Sequence, residues 1–289
     1  MKQKTNALAL LVLSAVSMAS TASTTLSLDT GFNHATGGYF SVGSTDAFWQ
    51  VISKYPLLAP LPVSPANVVP SNGWLSSSTT GQSLWVSGYA NGTSPATTGP
   101  YDPGYTIYRK CFCVMPEALV QTAAQGSGPI MNAKLRADDN VQVWLNNQLA
   151  GQLLSPVVQA GRWSWSTPID VIATASRFRP YINCVYVLVE DDRGGRTGFS
   201  MTGSVSSKLG LWDQAGSTDP NSYKPCPCKD PNTKTAPGAR LMSDEQEDIQ
   251  GIVKYAEERR ITRQKAGKPT APSDAPPRST SAPGSLLKQ

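Results

Sequence analysis

The fold class is decided by one stretch of sequence, Tyr181-Ile182-Asn183-Cys184-Val185-Tyr186-Val187-Leu188-Val189. β-Branched and aromatic residues dominate it, which favours a β-strand. Because side chains alternate along a strand, one face takes the odd-numbered residues from Asn183 to Val189, and the other takes Cys184, Tyr186 and Leu188. Both faces are largely apolar, as expected of an inner strand in a stacked structure.

Further short apolar segments precede this strand in the sequence. They are residues 48–52, 84–86, 105–114, 133–137, 141–145 and 169–172. Turn signals separate them, at Asn72-Gly73, Asn91-Gly92, Asp102-Pro103-Gly104 and Gly194-Gly195. Short strands at this spacing predict an all-β domain, a jelly-roll β-sandwich, over residues 24–212.

The order of several motifs supports that prediction. They are Thr30-Gly31, Gly43-x-x-Asp46-x-x-Trp49-x-Val51, Trp74, Ser83-x-Trp85-Val86-Ser87, Tyr105-x-x-Tyr108-Arg109-x-x-Phe112, Arg136-Ala137-Asp138-Asp139-Asn140, Leu145-Asn146, Asn183-x-Val185-x-Val187-x-Val189 and Gly198-Phe199-x-Met201-x-Gly203. Over about residues 28–205 the chain resembles the galactose-binding-like jelly-roll domains of exported bacterial proteins, and it is similar to sugar-binding domains appended to glycoside hydrolases. The resemblance implies a jelly-roll fold and a binding function, commonly for carbohydrate. The chain departs from the exported group because it lacks a C-terminal apolar sorting helix and carries two Cys-x-Cys pairs.

The first 23 residues have the pattern of an export signal. Lys2 and Lys4 precede an apolar run over residues 7–16, and small residues then offer cleavage after Ala22 or Ser23. The run is too short to span a membrane, and no later segment is apolar enough to do so. We therefore expect a protein that is secreted or located in the periplasm or at the cell surface.

The formal net charge of +5 is unevenly distributed. Residues 24–207 hold ten bases and ten acids, so the predicted sandwich is neutral. The excess lies in the signal and in the last 82 residues, which hold 13 bases and 10 acids. A neutral body gives no basic face for nucleic acid, so no nucleic-acid partner is expected.

The C-terminal extension divides into three parts. Residues 213–242 are a Pro-rich linker with a Cys-x-Cys pair, and residues 266–289 have the composition of a disordered basic tail. Between them, residues 243–265 are predicted to form an amphipathic helix with Ser243 as N-cap. Its narrow apolar stripe is formed by Ile249, Ile252, Val253 and Ala256. The stripe allows two interpretations: the helix packs lightly on its own domain, or it docks a partner.

The export signal places the five cysteines in a compartment that permits disulfides. The resemblance places Phe112 in the core, so Cys111 and Cys113 should face outward from the same strand. We expect them to pair with Cys226 and Cys228 of the linker, which leaves Cys184 as a small buried residue. Unpaired or otherwise paired thiols and a four-thiolate metal site are the alternatives.

Few residues offer catalytic chemistry. His34 is the only histidine and has no nucleophile or metal motif around it, and the chain has no nucleophile elbow, phosphate loop or dinucleotide fingerprint. Three acidic residues are possible calcium ligands, Asp138, Asp139 and Asp191. Together with Glu190 and Asp192 they are also the option for a glycoside hydrolase, whereas plain turn chemistry is the third interpretation. No other cofactor is expected.

Sugar binding requires exposed aromatic rings beside amide and charged groups. The candidates are Trp163 and Trp165, which share one strand face, with polar contacts from Arg162, Asn146 and Asn147. The alternative is that one or both tryptophans fill the core. Trp49, Trp74 and Trp85 match core positions of the family, and Trp144 is compatible with either orientation.

These observations predict an exported, non-enzymatic protein that binds carbohydrate or another extracellular or envelope component. The alternative is a structural or adhesive surface protein whose sandwich is a scaffold and whose C-terminal helix and tail make subunit contacts. A third reading, a hydrolase working through the acidic turns, depends on the carboxylates named above.

Overall fold

A computed structural model describes residues 23–33, 36–55, 64–70, 83–95, 104–119, 128–146, 168–191, 195–213 and 237–266. The strands are β1 (Ser23–Ser27), β2 (Phe32–Asn33), β3 (Gly38–Tyr39), β4 (Thr45–Tyr55), β5 (Ser64–Val69), β6 (Trp85–Ser87), β7 (Thr93–Ser94), β8 (Gly104–Val114), β9 (Ile130–Asp138), β10 (Asn140–Leu145), β11 (Ile169–Ala173), β12 (Tyr181–Asp191), β13 (Gly195–Arg196) and β14 (Gly198–Asp213). A 3₁₀ turn, Ala175–Arg177, precedes β12, and one long helix, α1 (Pro237–Ala266), follows the last strand. No helix among the described residues is long and apolar enough to cross a membrane.

The strands form the all-β sandwich that the sequence predicts. The main sheet has the order β10-β12-β8-β4-β5-β6-β14-β9-β11, β1 pairs with β14, and β14 also pairs with β8. The sheet therefore folds back on itself, and the inward faces of β4, β8, β10 and β12 share one apolar core with those of β1, β9, β11 and β14.

β12 is the inner strand predicted from its sequence. It lies between β8 and β10, and it pairs with β8 along its whole length, from Tyr181 opposite Val114 to Asp191 opposite Gly104. Val185, Val187 and Val189 enter the sandwich core, whereas Cys184, Tyr186 and Leu188 are buried on the other face. A second apolar layer therefore covers that face.

The buried carboxylate of Asp46 joins the segment that follows β1 to strand β4. Asp46 Oδ2 accepts a hydrogen bond from the Gly31 N–H at 2.6 Å, and its Oδ1 accepts from the N–H groups of Phe48 (2.9 Å) and Trp49 (3.2 Å). Burial raises the pKa of Asp46, while Lys110 and these hydrogen bonds oppose that shift. Gly31 is required because its φ is +72° and a Cβ would approach the Leu84 Cβ to 2.7 Å.

The C-terminal helix is longer than predicted. The expected start at Ser243 is wrong, because α1 begins at Pro237 and Ser243 lies inside it. Proline is accepted in a first helical turn, since its φ suits the helix and its missing N–H would have no intrahelical partner. The last six residues of the predicted linker, 237–242, are therefore helical, while residues 1–22, 214–236 and 267–289 lie outside the described residues.

The disulfide prediction needs correction. Cys111 is bonded to Cys184, not to a linker cysteine, and Cys184 is therefore not a lone thiol. The two residues are directly opposite in the β8–β12 pair, with Cα atoms 4.1 Å apart. The outward orientation of Cys111 and Cys113 relative to Phe112 is confirmed. Cys113 is also disulfide-bonded, and Cys226 and Cys228 lie outside the described residues.

Candidate functional site

The sandwich has two outward faces of opposite character. The covered face is the outward side of β4, β8, β10 and β12, against which α1 packs. Its apolar cluster consists of Ile52, Tyr105, Ile107, Cys111, Cys113, Trp144, Ile182, Cys184, Tyr186 and Leu188, together with Ile252 and Ala256 of α1. Trp144 thus faces outward and meets Tyr255 edge-on, with ring centroids 5.5 Å apart. The apolar stripe predicted for the helix is satisfied within the chain.

Charged side chains hold α1 at both ends of this face. Asp248 is bonded to Arg179 at 2.7 Å. Eleven residues further along α1, Arg259 binds both carboxylate oxygens of Glu190, at 2.8 and 2.9 Å. Arg263 adds a contact to Glu190 at 3.3 Å. Hydrogen bonding to Glu190 raises the pKa of Arg259, and both partners are largely buried.

A tyrosine pair adds to the contact near Arg259. The Tyr105 hydroxyl donates to Glu257 Oε1 at 2.8 Å, and burial followed by this hydrogen bond raises the pKa of Tyr105. Tyr105 stacks on Tyr55, and the Arg260 guanidinium lies 4.2 Å from the Tyr55 ring centroid. Specific polar contacts as well as apolar packing therefore fix α1 at Asp248 and again over residues 257–263.

The open face is the outward side of β1, β14, β9 and β11. Its first row crosses four chain segments: Asp29 Oδ1 accepts from the Thr202 hydroxyl at 2.9 Å, Thr202 is opposite Lys134, and Lys134 pairs with Asp170 at 3.3 Å. The row beside it consists of Ser27, Ser204, Asn132 and Ile172. Lys134 and Asp170 are more than half exposed, as is Ile172. This face presents hydroxyl, amide and paired charged groups to solvent.

An aromatic side chain stands at one end of the first row. Tyr39, in the β2–β3 hairpin, is 41% exposed and directs its hydroxyl at Asp29 Oδ2, 3.4 Å away. Its ring packs edge-on against Phe32, with centroids 5.3 Å apart. Partial burial and the Asp29 carboxylate raise the pKa of Tyr39 to about 12, so its hydroxyl keeps its proton and remains a donor at neutral pH.

Of the five residues predicted to bind sugar, the structure describes only Asn146. Arg162, Trp163, Trp165 and Asn147 lie outside the described residues, as do His34 and Trp74. Asn146 does not belong to an exposed binding face, because it is buried and its amide is used within the fold. Its Nδ2 donates to Asn183 Oδ1 at 2.9 Å, and its Oδ1 accepts from the Cys184 N–H at 2.9 Å. Trp49 and Trp85 are buried as predicted.

The acidic candidates lie at strand ends. Asp138 and Asp139 are buried at the β9–β10 turn, and Asp191 accepts a short hydrogen bond from the Ser94 hydroxyl. Among the described residues, no group of three or more acidic, cysteine or histidine side chains is placed to hold a metal ion. The structure therefore does not bring Asp138, Asp139 and Asp191 together as the calcium ligands that the sequence suggested. Glu190, a member of the hydrolase option, is engaged by two arginines of α1.

Sequence reasoning missed the polar residues of the open face. The signal is visible in β9, where Asn132, Lys134 and Arg136 alternate with buried Met131, Ala133 and Leu135. That alternation identifies an outward polar face but not its neighbours, because the pairing of β9 with β11 and β14 joins segments distant in sequence.

No protein-family model matches the sequence, and comparison with curated proteins finds no significant match.

Proposed function

We propose that this chain is an exported, non-enzymatic protein that binds carbohydrate or another extracellular or envelope component through its open face. The observation that carries the proposal is the difference between the two outward faces. The covered face is occupied by α1, whereas the open face presents Asn132, Lys134, Asp170 and the half-exposed ring of Tyr39.

The chemistry of the open face suits a sugar. Hydroxyl groups of a saccharide need donors and acceptors, which Thr202, Asn132 and the Lys134–Asp170 pair supply. The apolar face of a sugar ring needs an exposed aromatic or aliphatic surface, which Tyr39 and Ile172 supply. Since four strands are crossed at ~4.8 Å spacing, the first row is about 14 Å long. Its charges alternate in sign, which favours an uncharged ligand.

The resemblance to galactose-binding-like domains is the second support for this proposal. Trp163 and Trp165 stand six and four residues before Ile169, where β11 begins. β11 contributes Asp170 and Ile172 to the open face. The two tryptophans therefore remain candidates for the same ligand, and they belong in the test of the proposal.

Export of the chain is part of the proposal and has its own test. β1 begins at Ser23, so cleavage after Ala22 would leave the whole strand in the mature protein. Mass spectrometry of the protein recovered from the periplasm or medium should then give an amino terminus at Ser23. A full-length chain retaining Met1 in that fraction would contradict it.

A glycan array tests the binding function. We expect the oxidised protein to bind at least one neutral glycan on the array. Each of the substitutions Tyr39→Ala, Asn132→Ala and Trp163→Ala should weaken that binding about tenfold, because a lost stacking or polar contact costs on the order of 1–2 kcal/mol. Gln250→Ala, an exposed position on α1, is the matched control. Absence of glycan binding, or equal loss in the control, would refute the assignment to the open face.

A second candidate is the structural or adhesive surface protein. The observation that favours it is that no described residue of the sandwich core comes from α1, so the helix is an appended element. Particles or filaments that persist in Asn132→Ala and disappear when α1 is displaced from the covered face would support this function.

A further inference from the structure

Arg136 on β9 is a half-buried arginine whose charge has no partner among the described residues. Its Nε is shielded from solvent and forms no hydrogen bond, and no described carboxylate is paired with its guanidinium. An N–H group that loses water without gaining a hydrogen bond destabilises the fold, so this placement needs an explanation. Arginines in similar surroundings elsewhere each contact a carboxylate or amide oxygen: Arg109, Arg179, Arg259, Arg260 and Arg263.

The residues next to Arg136 are engaged by other groups. Ser200, directly opposite on β14, is buried and shares a hydrogen bond with the Ser83 hydroxyl at 2.7 Å. Lys134, two residues away on the same face, has the same charge and is paired with Asp170. Because no hydrogen bond holds the Arg136 guanidinium in place, it can turn towards a ligand without breaking one.

Arg136 borders the polar row of the open face. Asn132, Lys134 and Arg136 lie in line on the outward side of β9, and side chains on one side of a strand are about 7 Å apart. A ligand that contacts Asn132 and the Lys134–Asp170 pair therefore has the Arg136 guanidinium beside it.

The shape of a guanidinium limits what it recognises. It is planar and directs two parallel N–H groups at two neighbouring oxygen atoms. In a neutral saccharide, such a pair of oxygens belongs to vicinal hydroxyl groups on adjacent ring carbons. A carboxylate has the same spacing, but Asp29 and Asp170 stand on the open face and balance the charges of Lys134 and Arg136. The balance favours hydroxyl groups over an anion.

We propose that Arg136 is a specificity-determining residue of the open face and that its guanidinium binds vicinal hydroxyl groups of a neutral saccharide. This inference rests on the proposed function, because it names the feature of the ligand that the open face selects. Saccharides that present two neighbouring free hydroxyls are bound, and saccharides in which that pair is destroyed are bound weakly.

Selective destruction of vicinal hydroxyl pairs tests the proposal. One copy of a neutral-glycan array is left intact, and a second copy is treated with periodate, which cleaves the bond between two hydroxyl-bearing carbons, and then with borohydride. The oxidised protein is applied to both copies as wild type, Arg136→Lys, Asn132→Ala and Arg196→Lys. Arg136→Lys keeps the charge but removes the parallel N–H groups, and Arg196→Lys, at an exposed position of β13, is the matched control.

On the intact array, we expect Arg136→Lys to weaken binding of the retained glycan at least about tenfold, because two charge-assisted hydrogen bonds are lost. Arg196→Lys should bind as the wild type does. On the treated array, wild type and Arg136→Lys should bind equally weakly, since the group that distinguishes them is absent. The thermal unfolding temperature of Arg136→Lys should equal that of the wild type, because no hydrogen bond within the fold uses the guanidinium.

Three results would overturn the inference. Equal binding of wild type and Arg136→Lys on the intact array, beside a loss in Asn132→Ala, would overturn it and leave the proposed function standing. A difference between wild type and Arg136→Lys that persists on the treated array would assign the guanidinium to another group of the ligand. Failure of the wild type to retain any neutral glycan would overturn the proposed function and this inference together.

Discussion

At the scale of single residues, Asn146 shows how a polar side chain can be structural. Its φ is +66°, in the left-handed region that asparagine tolerates better than most residues. Its amide bridges the end of β10 to Asn183 and to the Cys184 backbone of β12. Sequence reasoning assigned Asn146 to a ligand because an asparagine at a strand end is equally compatible with both roles.

Asn146→Ala should therefore lower the free energy of unfolding by about 2–4 kcal/mol, because it leaves buried partners without hydrogen bonds and places alanine at a positive φ. Asn132→Ala on the open face is the control and should change it by less than about 0.5 kcal/mol. Denaturant unfolding of the oxidised protein measures both. Equal effects of the two substitutions would contradict the structural role of Asn146.

The Cys111–Cys184 bond predicts a specific result in peptide mapping. Digestion of the non-reduced protein should give a linked pair of peptides that contain these two cysteines. Cys184→Ala should cost roughly 4 kcal/mol, because the bond closes a loop over a sequence separation of 73 residues. Recovery of Cys111 linked to a linker cysteine would contradict the observed pairing.

The same residues show where sequence reasoning reached its limit. The resemblance placed Phe112 in the core, and alternation then placed Cys111 and Cys113 on the outward face correctly. It could not identify Cys184 as the partner, because opposite residues depend on the register between β8 and β12. Register joins segments that are 73 positions apart and leaves no local signal.

Tyr89 gives a pH-dependent prediction. Lys54 Nζ lies 4.7 Å from its ring centroid, and burial, followed by the Asp191 charge, raises the pKa of Tyr89 to about 12. A raised pKa stabilises the folded state below the unfolded value near 10, and this contribution is lost as pH rises from 10 to about 12.

Ultraviolet titration of tyrosinate measures this shift. We expect the native protein to show phenols that ionise near pH 12, one of which disappears in Tyr89→Phe, while all phenols of the guanidinium-denatured protein titrate near pH 10. Native titration near pH 10 that is unchanged by Tyr89→Phe would contradict it.

At the scale of elements, α1 owes its position to tertiary packing more than to its own amphipathicity. The narrow stripe of Ile249, Ile252, Val253 and Ala256 was readable from the sequence, and so was the helix itself. Its receiving surface was not, because the outward side chains of β8, β10 and β12 come together only after the sheet has formed. The start was misplaced because Ser243 resembles an N-cap, whereas Pro237 suits the first turn equally well.

Ile252→Ala should destabilise the docking of α1 by about 2–4 kcal/mol, because Ile252 is fully buried between the helix and the sheet. Gln250→Ala, on the exposed side of the same turn, should have little effect. Amide hydrogen exchange should show faster exchange in α1 and on the covered face, with the sandwich core unchanged. Uniform destabilisation of the core would instead indicate that α1 belongs to the same cooperative unit.

At the scale of the whole molecule, the two outward faces of the sandwich differ in what covers them. One face binds the chain's own C-terminal helix, and the other keeps its polar row in solvent. The net charge of +5 follows this division, because residues 24–207 are neutral and the excess lies in residues 1–23 and in the C-terminal extension. An open face that is rich in hydroxyl groups and whose charges alternate in sign is consistent with an uncharged polymer as ligand.

Binding of one retained neutral glycan, measured by isothermal titration to the wild type, Asn132→Ala and Gln250→Ala, tests the central claim most directly. The account predicts that the Kd rises about tenfold for Asn132→Ala on the open face, as expected for one lost polar contact. It predicts no change for Gln250→Ala on α1. Unchanged affinity in Asn132→Ala together with loss in Gln250→Ala would contradict the account and transfer the binding site to the helix side.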